Sequence, residues 1–317
     1  MLILYIVQTI IPLALIAWIA FAPQRSVIGF WTQAVSTGLG LIALSLGGIL
    51  LVPPYWGPWA AGILLFAAVV TVLRRRPTVT VRPRGVAAWI VLTCFVAFAL
   101  FEADQIRLAY LGARIPPGRS INVASPLGSG RYLIVNGGAT TVVNAHADAL
   151  DQSIPAHKNY YGTGYGVDLV AIDQFGLRAD GVMPADPRRY HIFGTPVTAP
   201  CAGTVIVAVD GLTDMRIPEL DESHLAGNHV ILRCGTVDIL LAHFRRGSVR
   251  VKTGAKVAIG TSIAEVGNSG STSEPHLHIH AQRPGTSAAL FSGQPIALRI
   301  EGRFLTRNER FSGPAAP

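Results

Sequence analysis

Hydrophobic positions along this chain follow two different rules. Up to about residue 101 they run almost uninterrupted, in long stretches punctuated by Pro, Gly and Arg. A hydrocarbon layer of roughly 30 Å needs about 20 mostly apolar residues in a helix. Leu2–Ala22, Thr32–Val52 and Tyr55–Leu73 reach that length, and Val86–Phe101 does so with help from its flanks. All five Trp fall in this half, mostly near segment ends, where the ring suits a membrane interface. The stretches predict four transmembrane helices over residues 1–102. A soluble bundle would need a charged outer face, and these segments have none.

Beyond a mixed connector at 103–119, rich in Pro and Gly at its end, the pattern changes. Short apolar runs alternate with period two and are broken by Gly, Pro, Asn and Asp. Tyr132–Val135, Thr204–Val209, His229–Leu232, Val237–Ala242, Val249–Lys252 and His276–His280 predict strands. Asp180–Arg189 and Gly211–Gly227 predict surface loops, the second placed to overhang a groove. Residues 120–317 therefore read as an all-β domain of antiparallel sheets, with no long amphipathic helix after Phe101.

Charge changes the picture in two ways. Residues 1–100 contain no Asp, Glu, Lys or His, only Arg25, Arg74, Arg75, Arg76, Arg82 and Arg84. The net charge of +8 thus leaves only about +2 for the rest, with no basic cluster that would mark a nucleic-acid groove. Arg25 lies between the first and second stretches and the other five between the third and fourth. The positive-inside rule puts both loops in the cytoplasm, and residues 102–317 across the membrane. Ala20-Phe21-Ala22 resembles a signal cleavage site. With no basic region before it and three spans after it, it reads as retained helix. Of the three Cys, Cys94 sits within the fourth span. Cys201 and Cys234 lie in the exported part, where a disulfide is permitted.

The candidate chemistry is concentrated in Gly267-Asn-Ser-Gly-Ser-Thr-Ser-Glu-Pro-His-Leu-His-Ile-His280. A turn-forming loop runs into a strand with His276, His278 and His280 on one face. Neutral imidazole is a favoured zinc ligand. The row would extend over roughly 13 Å, too far for one metal to take all three. The window does not itself say which His binds metal and which moves protons. Asp168, set among apolar residues in Tyr165-Gly-Val-Asp-Leu-Val170, is costly there unless paired or metal-bound. His191, His224 and His229 read as loop or strand histidines without chemistry.

Several landmarks in order carry a family resemblance. They are Gly194-Thr-Pro-Val-Thr-Ala-Pro-Cys-Ala-Gly-Thr-Val205, Gly227-Asn-His-Val-Ile-Leu232, Leu241-Ala-His243, Val251-Lys-Thr-Gly254 and the Pro-His-Leu-His run. Over residues 126–285 the chain resembles the lysostaphin/LytM-type zinc endopeptidases. The resemblance implies a LytM-like β-sandwich or barrel, bound Zn2+, and His278 as a metal ligand. It implies catalytic, non-ligand roles for His243 and His276. It also implies an upstream His and Asp as the remaining ligands, which points to Asp168. The position where the family's His would precede that Asp is Gly164, so the first ligand must come from elsewhere. His146 and His157 are the candidates. Asn144-Ala-His146 is similar to an Asn-x-His found on the preceding strand in a subset of the family, and favours His146.

The reading implied is hydrolysis of a peptide bond, with the peptides of bacterial cell-wall peptidoglycan as substrate. The domain would be held outside the cytoplasmic membrane by a multi-pass anchor. The alternative is a LytM-like regulator that binds wall peptide or activates another hydrolase, which would hold no metal. A lipoyl-type carrier barrel, suggested by Ala199-Pro-Cys-Ala-Gly-Thr-Val205, lacks a lysine in the required hairpin setting and leaves the His row unexplained.

Overall fold

The computed structural model describes residues 2–23, 26–75, 79–118, 120–284 and 290–314. Arg25 and Arg76, which carry part of the orientation argument, lie outside the described residues, as does Gly285. The chain divides into two compact units, Met1–Tyr110 and Leu111–Pro317.

The first unit has four helices long and apolar enough to cross a membrane: Ile3–Phe21, Val27–Gly47, Gly57–Arg75 and Val86–Gly112. The first three share a small core that includes Ile19, Phe30, Leu41 and Val72. Ser26 caps the second helix by accepting from Gly29 N at 3.0 Å. This starts it five residues before the expected Thr32. The fourth continues to Gly112, through residues read as connector, because nothing between Glu102 and Leu111 breaks a helix. Trp59, Ile63, Phe66 and Leu100 are exposed, as side chains facing lipid would be.

The described residues of the second unit form twelve strands. They are β1 (Ser120–Val123), β2 (Gly130–Asn136), β3 (Val167–Ala171), β4 (Pro196–Thr198), β5 (Gly203–Val209) and β6 (Asn228–Cys234), then β7 (Val237–Phe244), β8 (Lys256–Val257), β9 (Ser262–Glu265), β10 (Leu277–Arg283), β11 (Gln294–Ile300) and β12 (Arg310–Gly313). The main sheet runs β12-β2-β3-β10-β7-β6-β5-β8, with β11 joined to β10 and β1 to β11; β4 and β9 form a second, small sheet. All pairs are antiparallel except β1–β11. One face of the central strands makes the core: Val167, Leu169, Val230, Leu232, Ile239, Leu241, Leu277 and Ile279 are buried there. Alternation sends Asp168, His278 and His280 to the opposite face.

Val249–Lys252 is not a strand. Val249 N–H is taken by the Asp210 carboxylate at 3.2 Å and Arg250 N–H by Ile263 O, so no continuous ladder forms. Cys201 and Cys234 are disulfide-bonded, with Cα atoms 6.2 Å apart at the β5–β6 end. The bridge closes a 33-residue separation, worth about 3–4 kcal/mol by loop entropy. The Cys201→Ser, Cys234→Ser double variant should accordingly melt several degrees lower. An unchanged Tm would mean the bridge contributes nothing to the native state.

Candidate metal and catalytic site

Antiparallel pairing of β3 with β10 sets His278 directly opposite Asp168. The residues share the face away from the core, and His278 Nδ1 lies 2.8 Å from Asp168 Oδ1. His146 reaches the same carboxylate from outside the sheet, with Nε2 2.9 Å from Oδ2. The three donor atoms lie within 4.8 Å of one another. His146 is not at a strand end, as expected, but in the 3-10 turn Ala145–Leu150. Asn144 explains its placement. This fully buried side chain accepts from His146 N (3.1 Å) and donates to Gly138 O (2.9 Å) and Gly166 O (3.1 Å). His157 lies apart, on the turn Pro155–Asn159, and its Nδ1 donates to Asp151 O at 3.0 Å.

Two residues missed by sequence reasoning support Asp168. Asn136, at a β-bulge in β2, donates Nδ2 to Asp168 Oδ2 at 2.8 Å and accepts from Arg307 Nη2 at 2.6 Å. Burial pushes the Arg307 guanidinium down to about 10, with Asp168 opposing. Burial also works to raise the Asp168 carboxyl, but His146 and His276 beside it and hydrogen bonds from His146 and His278 hold it well below the carboxylate range. The imidazole of His278 is lowered, chiefly by burial. A carboxylate and two imidazoles converging on one point form a donor set suited to zinc. The residues present fit the metal. The His146 side chain keeps 25% of its surface exposed, so the cluster is open on that side rather than closed.

His280, the third member of the row, is fully buried behind the cluster. His278 Nε2 and His280 Nδ1 are 2.8 Å apart. With Nδ1 of His278 left to face a metal beside the carboxylate, Nε2–H would donate to His280, which then fixes the ring as outer partners of metal-binding histidines do.

His243 arrives by a different device. Strand parity would send it into the core, between Leu241 and Phe244. However, the β6–β7 register shifts between Asn228 and Val230, and His243 adopts φ 67°, the left-handed region rarely occupied by residues other than glycine. The alternation breaks there and the ring turns to His276, 4.7 Å away between centroids. Its Nδ1 donates to Ser269 O at 2.9 Å. Gly227, at φ 56°, permits that loop to sit close, since a Cβ there would collide with the Ser269 carbonyl. Burial, then His276 and His278, holds the His243 imidazole well below its ordinary value. His276 donates Nδ1–H to Glu274 O at 2.9 Å, and its Nε2 lies 3.6 Å from Asp168 Oδ1. A carbonyl oxygen can only accept, so both catalytic candidates carry their proton on Nδ1 and keep Nε2 as a base.

The loop motif, the His243–His276 pair and the converging cluster lie together in the second unit. Residues 190–290 match peptidase family M23. The M23 segment contains His243, His276, His278 and His280, and begins after His146 and Asp168. No curated protein matches the chain. Similar solved structures include the catalytic domain of lysostaphin from Staphylococcus simulans, at 24% identity over 39% of this chain and 69% of that one (TM-score 0.26). Lysostaphin itself is similar at 22% identity, covering 38% and 37% (TM-score 0.25). A zinc containing peptidase from Vibrio cholerae is similar at 19%, covering 37% and 46% (TM-score 0.23). The chain therefore spans less than half the length of the last two.

Proposed function

We propose that this chain is a membrane-anchored zinc endopeptidase that hydrolyses peptide bonds of bacterial cell-wall peptidoglycan. In this reading residues 120–317 are the metallopeptidase domain, outside the cytoplasmic membrane, and His146, Asp168 and His278 are the metal ligands. The observation that carries it is the convergence of those three donors beside the imidazoles of His243 and His276, in a unit whose residues 190–290 match peptidase family M23. The Arg-bearing loops and the Cys201–Cys234 disulfide both favour export of the β-unit.

Zinc held there would lower the pKa of a water from 15.7 to about 7 and polarise the scissile carbonyl. The chain's own residues do the rest. His278 and Asp168 are held rigid by adjacent strands, and His280 and Asn136 fix their orientation. His243 and His276 each offer a basic Nε2 because Nδ1–H is committed to a backbone carbonyl. One can take the proton of the attacking water. Once protonated, an Nε2–H donates to the developing oxyanion or to the leaving amine.

The test uses full-length protein in detergent with isolated peptidoglycan sacculi. Zinc-loaded protein should release soluble fragments with new amino termini, a chelator should stop release, and added zinc should restore it. His243→Ala and His276→Ala should each lower turnover by about 10²–10⁴-fold without loss of metal. A protein that binds no metal and releases nothing would support the wall-binding regulator instead.

A further inference from the structure

Outside the cluster, one feature is chemically expensive and has no role in the reading above. Arg178 and Glu274, 96 residues apart, form a buried ion pair, with Arg178 Nε 2.7 and 2.9 Å from the two carboxylate oxygens. Arg178 is 4% exposed and Glu274 8%. Removing two charges from water is costly, so such a pair is weak evidence for stability and better evidence for specifying one arrangement.

What it specifies is visible in the second half of Glu274. While its side chain meets Arg178, its main-chain carbonyl accepts both Thr272 Oγ1 (2.7 Å) and His276 Nδ1 (2.9 Å). Only Pro275, whose ring fixes φ, separates the two residues. A shift of Glu274 must therefore move the acceptor that sets the tautomer and direction of the His276 ring. The anchor is firm. Arg178 also donates to Val182 O at 3.2 Å, and its guanidinium lies 5.7 Å from the centre of the Tyr190 ring, within cation–π reach. Tyr190 in turn packs with buried Ala179 and Ile217.

We propose that the Arg178–Glu274 ion pair is a positioning device: it clamps the loop before β10 so that the Glu274 carbonyl holds His276 with its proton on Nδ1 and its Nε2 toward Asp168. Arg178 and Glu274 touch neither metal nor substrate in this account; they act through His276. The assignment rests on His276 being catalytic, as proposed above.

The test replaces the pair by Arg178→Met with Glu274→Gln, which leaves no unpaired buried charge. Full-length protein labelled with 15N-histidine is compared with wild type by ring-nitrogen NMR, zinc content and hydrolysis of sacculi. Arg178→Lys, which keeps the charge pair, is the conservative control. The double variant should bind the same zinc, since His276 is not a ligand. Its His276 ring should lose the single Nδ1–H state and kcat should fall about tenfold or more at constant KM. Arg178→Lys should retain the wild-type ring state. An unaltered His276 ring and kcat in the double variant would overturn the proposal while leaving the peptidase reading intact. If wild type neither binds zinc nor cuts sacculi, the peptidase reading fails, and the ring spectra alone decide whether the pair sets His276.

Discussion

Asp168→Asn should release the zinc and bring hydrolysis to background. Asp168 is the centre of the cluster: His278 and Asn136 meet it directly, His146 meets it from the 3-10 turn, and His276 stands 3.6 Å away. Asparagine keeps the size but removes the charge and replaces one acceptor oxygen by a donor, which conflicts with Asn136 Nδ2–H. Loss of outer partners of ligands alone costs about 10–100-fold in metal affinity, so loss of a ligand should exceed that. Metal content after gel filtration and a zinc titration of the variant check it. Retention of stoichiometric zinc at wild-type affinity would remove Asp168 from the ligand set.

The second large effect concerns where the first histidine comes from. His146→Ala should abolish metal binding, and adding Gly164→His should not restore it. In the folded chain a Cβ on Gly164 would lie 2.8 Å from Leu150 Cγ and closer still to Cδ2. A side chain at 164 thus displaces the turn that delivers His146, at the 1–3 kcal/mol typical of overpacking. The double variant should be metal-free and melt lower than His146→Ala alone. Recovery of zinc in the double variant would show that position 164 is the natural ligand position and His146 an accident of this chain.

These two predictions also mark what the sequence could and could not show. Period-two alternation placed His278 and His280 on one face because a strand transmits parity faithfully, and that face is the one facing Asp168; His276 precedes β10 and is held instead by the Glu274 carbonyl. Four apolar stretches were legible because length and composition suffice. The fourth helix outran its reading to Gly112 because hydropathy falls at Glu102 whereas helix propensity does not. His243 was found by resemblance alone; by parity it belonged in the core, and only the bulge and its positive φ turn it outward. Val249–Lys252 alternates like a strand, yet the Asp210 carboxylate, 39 residues away from Val249, takes its first donor. The supports at Asn136, Arg307, Arg178 and Glu274 are contacts between residues far apart in sequence, and no local pattern announces them. Asn144 entered only through the resemblance of Asn144-Ala-His146; its role as the cap of the turn that carries His146 is visible in the fold alone.

The most direct test of the account is zinc stoichiometry of the purified full-length protein and its single-alanine variants. One zinc per chain is expected in wild type, His157→Ala and His243→Ala, and none in His146→Ala, Asp168→Ala or His278→Ala. A metal-free wild type, or loss of zinc on replacing His157 with retention on replacing His146, would contradict it.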